Sequence, residues 1–170
     1  PELNIQTDDH KPIHVLARKQ KWSRLDRFLN DLRAAHGSVS VQKGSGVREL
    51  IRELRAGGVV GVLGDLSGGR TGSVVRFFGR KTTAPSGIFR VAKRAGSAIL
   101  PCFVVRENGT GPRHCLFVDE VLSFSDSGNE GTDIRNILER YYQSLETWIT
   151  RYPEQWFWVY KRWKYCFTKR

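Results

Sequence analysis

Methionine is absent from this chain and cysteine is scarce. The three cysteines, Cys102, Cys115 and Cys166, are far apart, odd in number and form no C-x-x-C pair, which argues against a disulfide framework and for a reducing compartment. No apolar stretch approaches the roughly 18–20 residues that cross a bilayer as a helix. No signal-peptide pattern opens the chain, and there are no repeats, low-complexity tracts or linkers. Acidic residues are in short supply: 17 Asp and Glu stand against 28 Lys and Arg, for a formal charge of +11. That excess predicts a polyanionic partner: nucleic acid, an anionic membrane or a phosphorylated substrate. Solubility alone is the less favoured explanation. With 170 residues, 39% of them apolar, the chain is expected to fold as a single domain, 1–170, with a real core. Because Met is missing and residue 1 is proline, a piece of something longer is expected, although a processed start would look the same.

What is present alternates between strand and helix patterns. Residues 12–18 read as a first strand. Trp22, Leu25, Phe28, Leu29, Leu32 and Ala35 share one helical face and are expected to point inward. A short strand at 38–42 and a helix carrying Val47, Leu50, Ile51 and Leu54 follow. The run 59–63, between glycines, reads as a buried strand, and 74–78 as another. Ala84-Pro85 opens a helix with Ile88, Val91, Ala92 and Ala95 inward. Residues 98–105 form a strand whose Pro101 suggests an edge or bulge. The turn signal at 107–109 pairs that strand with 113–119. The longest helix, 129–152, carries the stripe Ile134, Ile137, Leu138, Tyr141, Leu145, Trp148 and Ile149, and Pro153 stops it. These elements predict an α/β fold: a mixed, mainly parallel sheet flanked by helices, with a late antiparallel hairpin.

The organising stretch is 57–79. Asp65 follows an apolar run, where open α/β sheets keep their ligands; on spacing alone, a turn capped by Asp65 is preferred. Residues 64–71 differ from a P-loop by Arg70 in place of lysine, but the strand-like sequence after them denies the loop a helix. His114 and Asp119 satisfy H-x4-D, yet on a strand they point to opposite faces, which argues against a working pair. Arg18 ends the first strand, where it could meet a substrate phosphate or form a surface salt bridge. In the tail, Trp156, Trp158 and Trp163 are interleaved with Lys161, Arg162 and Lys164. That composition suits a membrane interface or stacking on single-stranded nucleic acid, unless the tryptophans close the core.

Four segments in order, PIHVLAR, GVLGDLSGGRTGSVVRFFG, AILPCFVVR and YPEQWFWVYKRWK, resemble the bacterial lipid A biosynthesis acyltransferases, from about His14 to Lys164. The resemblance implies a glycerolipid-acyltransferase-like fold at the cytoplasmic face of the inner membrane. It implies transfer of a fatty acyl chain from acyl carrier protein to a hydroxyl of an anionic, phosphorylated lipid A precursor. Arg18, Asp65, Arg76, Phe77, Phe78 and Gly79 are then the substrate-binding candidates. Trp156, Trp158, Lys161, Arg162, Trp163 and Lys164 are the membrane-interface candidates, and Pro101 matches the proline of the following strand. No cofactor or metal is implied. The family's anchor helix and its His-x4-acid motif of the form H-x-G-N-W-E have no match in this sequence, and Tyr160 stands where the family commonly shows histidine. The chain thus looks like the carboxyl-terminal part of such an enzyme, without catalytic residues and inactive by itself. The alternatives are a basic nucleic-acid-binding module, with nucleic acid the less favoured partner, and an NTPase at 64–71.

Overall fold

The computed structural model describes residues 11–42, 46–107 and 111–164. It divides into two compact units, Pro1–Val62 with Arg94–Gly96, and Leu63–Lys93 with Ser97–Arg170. The α/β class is as expected: a parallel three-stranded sheet, two antiparallel strand pairs and four α-helices.

The first unit holds β1 (Ile13–Ala17), α1 (Ser23–Ala35), β2 (Ser38–Gln42), α2 (Val47–Arg55) and β3 (Val60–Gly61). The sheet order is β2-β1-β3, with Ile13 opposite Ser38 and Ala17 opposite Gln42. Val41, Leu50 and His14 are buried. Two expectations are corrected here. The run 59–63 forms only a two-residue strand, paired to β1 through His14–Val60 and Val15–Gly61, and Val59 and Leu63 are exposed. The glycines at 57, 58, 61 and 64 add no side chains to pack, and β3 is an edge. The apolar face of α1 is not inward either: no residue of that helix is buried, and Trp22 is 76% exposed.

In the second unit a 3-10 turn, Gly69–Thr71, leads into β4 (Ser73–Phe77), which pairs antiparallel with β5 (Arg80–Ala84). The pattern Arg-Lys-Thr-Thr-Ala carries no apolar alternation, so β5 was not anticipated. Phe77 pairs with Arg80, leaving a two-residue turn with Phe78 at φ 48 and Gly79 at φ 70. Two positive φ values are the signature of a type I′ turn, which usually carries Asn-Gly. Phe78 is the one non-glycine residue with positive φ among the described residues. Its amide donates to Glu146 Oε1 at 2.8 Å, and its ring lies 4.8 Å from that of Phe77, so tertiary contacts hold the strained conformation.

Next come α3 (Gly87–Ala95), β6 (Cys102–Arg106), β7 (His114–Val118) and α4 (Glu130–Arg151). β6 and β7 pair from Cys102–Val118 to Arg106–His114, the expected hairpin; its turn signal lies largely outside the described residues. Pro101 precedes β6, and its carbonyl accepts the amide of Asp119 at 3.0 Å, so the missing N–H costs no ladder bond. Asn129 Oδ1 caps α4 by accepting the amide of Thr132 at 3.0 Å. The buried stripe of α4 is Asp133, Ile134, Ile137, Leu138, Tyr142, Leu145 and Ile149. It packs with Val75, Phe77, Ala84, Phe89 and Leu122 into one apolar cluster. Among the described residues no helix is long and apolar enough to cross a membrane. Cys102 and Cys115 are free, and Cys166 lies outside the described residues.

A charged lock joins α3 to α4. The carboxylate of Asp133, fully buried, receives bonds from Lys93 Nζ, Ser125 Oγ and the amide of Ser127. The Lys93 contact, first, and the serine bonds hold its pKa below the ordinary carboxylate value against the opposing effect of burial. A carboxylate with a lowered native pKa stabilises the fold fully above its unfolded pKa of about 3.9 and loses that contribution as pH falls further. Asp133→Asn is therefore expected to lower Tm by several degrees at neutral pH. It should also remove most of the parent's extra pH dependence below about pH 4, as measured by thermal unfolding followed by circular dichroism.

Candidate functional site

The loop 64–72 is built by close backbone approach. A Cβ on Gly68 would collide with the carbonyl oxygen of Ala84, and one on Gly72 would stand 2.7 Å from the same atom. The amide of Gly68 donates to Thr83 O at 3.1 Å, and Ser67 Oγ lies 2.9 Å from Thr83 Oγ1. The glycines thus lay the loop on β5. The loop runs on into β4 and not into a helix, so no row of helix amides is offered to a phosphate, and Arg70 is exposed. The NTPase alternative has no structural support.

The side of this loop is closed by α4 and the tail. Arg162, only 1% exposed, donates from Nη1 to Thr82 Oγ1 at 3.0 Å and Thr83 O at 2.8 Å, and from Nη2 to Tyr142 Oη at 2.6 Å. Its guanidinium carbon lies 5.2 Å from the ring centres of both Phe77 and Tyr142. Tyr142 in turn donates to the carbonyl of Gly64 at 3.4 Å, and Tyr160 Oη accepts the amide of Ser67 at 3.2 Å. Burial pushes the Tyr142 phenol up to about 12, although Arg162 opposes it. Burial raises Tyr141 further still. Both hydroxyls therefore stay protonated at neutral pH, and that of Tyr142 serves as a donor to Gly64 O.

Asp65 sits half-buried beside this assembly. Its charge is felt by both tyrosines, yet among the described residues its carboxylate makes no hydrogen bond and no ion pair. The expected turn cap is thus not what Asp65 does. A half-buried acceptor without a protein partner can take a hydrogen bond from a ligand hydroxyl or meet a ligand cation. Tyr141, Tyr142, Thr83 and Glu146 were all missed as neighbours of the expected site. Only the i, i+4 spacing of Leu138, Tyr142 and Glu146 on one helix face could have pointed to two of them.

The other candidates are scattered. Arg18 is exposed at the end of β1, in the first unit, and forms no ion pair among the described residues. Arg76 is exposed, with Nη1 donating to Gly79 O at 3.2 Å. Phe77 is fully buried core, which corrects its expected contact with substrate, and Phe78 and Gly79 form the hairpin turn. Arg162 is likewise interior rather than interfacial, because its guanidinium completes the hydrogen bonding of β5 and α4. Trp156 and Trp163 pack against the core, Trp163 stacked 5.6 Å from Phe77. Trp158, Lys161 and Lys164 are exposed. His114 and Asp119 do not form a pair, as expected. The histidine Nδ1 lies 3.0 Å from Pro112 O, whereas Asp119 accepts from Ser144 Oγ at 2.5 Å and Trp148 Nε1 at 3.4 Å. A histidine–carboxylate approach does exist in the first unit, His14 Nδ1 to Glu53 Oε2 at 4.0 Å, with the His14 side chain buried. Among the described residues no group of three or more His, Cys, Asp or Glu could hold a metal ion.

The model of a family described as bacterial lipid A biosynthesis acyltransferase matches residues 3–165, nearly the whole chain. No curated protein matches it.

This geometry sets two outcomes. Arg162→Ala removes the charged donor from Thr83 O, Thr82 Oγ1 and Tyr142 Oη, and each hydrogen bond to a charged group so lost is worth about 1.5–3 kcal/mol. We expect a loss of at least about 3 kcal/mol in urea unfolding, with little rescue by Arg162→Lys, because an ammonium cannot span three acceptors as the planar fork does. ATP with magnesium is expected to leave Tm unchanged in both the parent and Arg70→Ala; a stabilisation lost in the variant would contradict the loop geometry.

Proposed function

We propose that this chain, which belongs to the bacterial lipid A biosynthesis acyltransferase family, acts in moving a fatty acyl chain from an acyl carrier protein thioester to a hydroxyl of a phosphorylated lipid A precursor, at the cytoplasmic face of the inner membrane. The observation that carries this reading is the family match across residues 3–165. The reaction asks for three things: a base for the acceptor hydroxyl, positive charge for the acceptor phosphate and the developing oxyanion, and groups that orient the acceptor. The hydroxyl oxygen attacks the thioester carbonyl, the C–O bond forms, the C–S bond breaks, and the hydroxyl proton ends on the leaving thiol.

The unpaired carboxylate of Asp65 suits the orienting role, since it can accept a hydrogen bond from a sugar hydroxyl. Arg18, exposed and without an ion pair among the described residues, suits the phosphate or oxyanion role. Neither His114 nor His14 is placed as that base. His114 is committed to Pro112 and Arg106, and the side chain of His14 is buried. A positioned general base is worth about 10²–10⁴-fold in rate, so binding without turnover is the expected behaviour of these 170 residues on their own.

The test is a paired measurement on the purified chain. With acyl carrier protein thioester and a lipid A precursor in detergent, no acyl transfer is expected. Binding of the precursor, followed by calorimetry, is expected and should weaken about tenfold in Arg18→Ala and in Asp65→Asn, the loss of one charge-assisted hydrogen bond. Transfer by the chain would refute the expected inactivity. Absence of precursor binding, or binding indifferent to both substitutions, would refute the roles given to these residues.

A further inference from the structure

The tail places its apolar residues in two opposite ways. Trp156 and Trp163 turn inward on Phe77, at 6.1 and 5.6 Å between ring centres. Between them Phe157, Trp158 and Val159 turn outward, 65%, 52% and 78% exposed. Three consecutive large apolar residues in solvent are unusual, and contiguous exposed apolar surface marks a contact site. The chain has not simply frayed here. The amide of Trp158 donates to Trp156 O at 2.8 Å, that of Tyr160 to Phe157 O at 3.1 Å, and that of Arg162 to Tyr160 O at 2.7 Å. Arg162, buried three residues beyond Val159, anchors the segment. The indole N–H of Trp158 donates to Pro153 O at 2.6 Å, so its polar group is already satisfied inside the protein.

A second element meets this knuckle. The ring of Phe78, at the strained tip of the β4–β5 hairpin, lies 6.3 Å from that of Trp158. The first position of a type I′ turn favours Asn or Asp, and a phenylalanine there carries a backbone cost. Its contacts with Glu146 and Phe77 offset that cost and leave its ring beside Trp158. Cations lie on the same two segments. Arg76 is held to the hairpin tip through Gly79 O, Arg80 lies over the Trp163 ring at 5.5 Å, and Lys161 is exposed next to the knuckle. The nearby carboxylate of Glu146 is engaged by the Phe78 amide.

We propose that Phe157, Trp158 and Val159, backed by Phe78, form a preformed wedge that enters the headgroup–acyl boundary of an anionic lipid bilayer, with Arg76, Arg80 and Lys161 meeting lipid phosphates. The proposal deepens the reading above and rests on it, in that it names the part of this chain that touches the membrane. Lipid is favoured as the occupant by charge and by hydrogen bonding together. Hydrocarbon offers no hydrogen bonds, and the indole N–H of Trp158, the polar group of the largest of these side chains, is already paired with Pro153 O. The cations on these segments match an anionic surface.

The experiment uses the whole chain with sedimenting vesicles of equimolar phosphatidylglycerol and phosphatidylcholine. The parent is expected to bind them. The double variant Phe157→Ser with Val159→Ser should bind about tenfold more weakly or worse while keeping the parent's Tm, since both side chains are exposed. Lipids brominated on their acyl chains should quench the parent's tryptophan emission. Trp158→Phe should bind nearly as well yet lose most of that quenching, whereas Trp22→Phe, on the exposed face of α1, should keep it. If the serine variant binds like the parent, or the quenching disappears with Trp22 instead, the wedge is overturned while the lipid-surface reading stands. If the parent ignores the vesicles, that reading fails and the wedge with it. Tight binding of single-stranded DNA that is lost in the serine variant, without vesicle binding, would reassign the knuckle to base stacking and overturn the proposal.

Discussion

A guanidinium without a carboxylate lies in the middle of the second unit, and much of that unit is arranged around it. Burying a charged group is costly unless its donors are used and its surroundings are polarisable. In Arg162 the two terminal nitrogens donate to Thr82, Thr83 and Tyr142 and the guanidinium lies 5.2 Å from the ring centres of Phe77 and Tyr142, while the buried Nε has no hydrogen-bond partner among the described residues. The dependence runs both ways. Two buried threonines in β5 would be a liability beside an apolar helix, and the arginine, with Ser67, turns them into satisfied partners. Tyr142, fixed by the same guanidinium, reaches Gly64 and so ties the glycine-rich loop to α4.

That order gives the unpaired Asp65 its meaning. Around it the hydroxyls of Thr83, Ser67, Tyr142 and Tyr160 are engaged with one another, with Arg162 or with backbone, while the carboxylate is not. An acceptor left over beside a rigid, satisfied network is already oriented for a ligand and needs little reorganisation to receive one. The tail that carries Arg162 also carries Phe157 to Val159 outward. One short segment thus closes the core with one set of side chains and offers a second set to the exterior, and the first keeps the second rigid.

Much of the architecture was legible because it rests on local signals. α4 announces itself by an Asn cap, a 3.6-residue stripe and a proline stop, and the β6–β7 hairpin by its strand pair around a turn signal. β5 was not legible, since its buried faces are threonines whose acceptability depends on Arg162, 80 residues away in the case of Thr82. Periodicity placed Tyr141 in the buried stripe, whereas the structure buries Tyr142 more deeply, because a phenol is drawn toward the guanidinium. The stripe of α1 has the period of a core face, yet most of it is exposed and none of it buried. A helical period shows that a face is apolar without showing what covers it.

The amino-acid order by itself determined the α/β class, the four helices, the loop carrying Asp65, the excess of positive charge and the family. Each of these rests on nearest-neighbour chemistry or on motifs a few residues long. Only the tertiary structure decided that Arg162 is a core strut while Phe157 and Val159 are the exposed residues. It alone decided that the Phe-Phe-Gly segment is a strained turn, and that Asp65 has no protein partner among the described residues. The physical reason is the same in each case. Whether an aromatic ring faces core or solvent, and whether a charge is satisfied, depends on the groups that long-range packing brings within hydrogen-bond distance, and no local pattern encodes those groups.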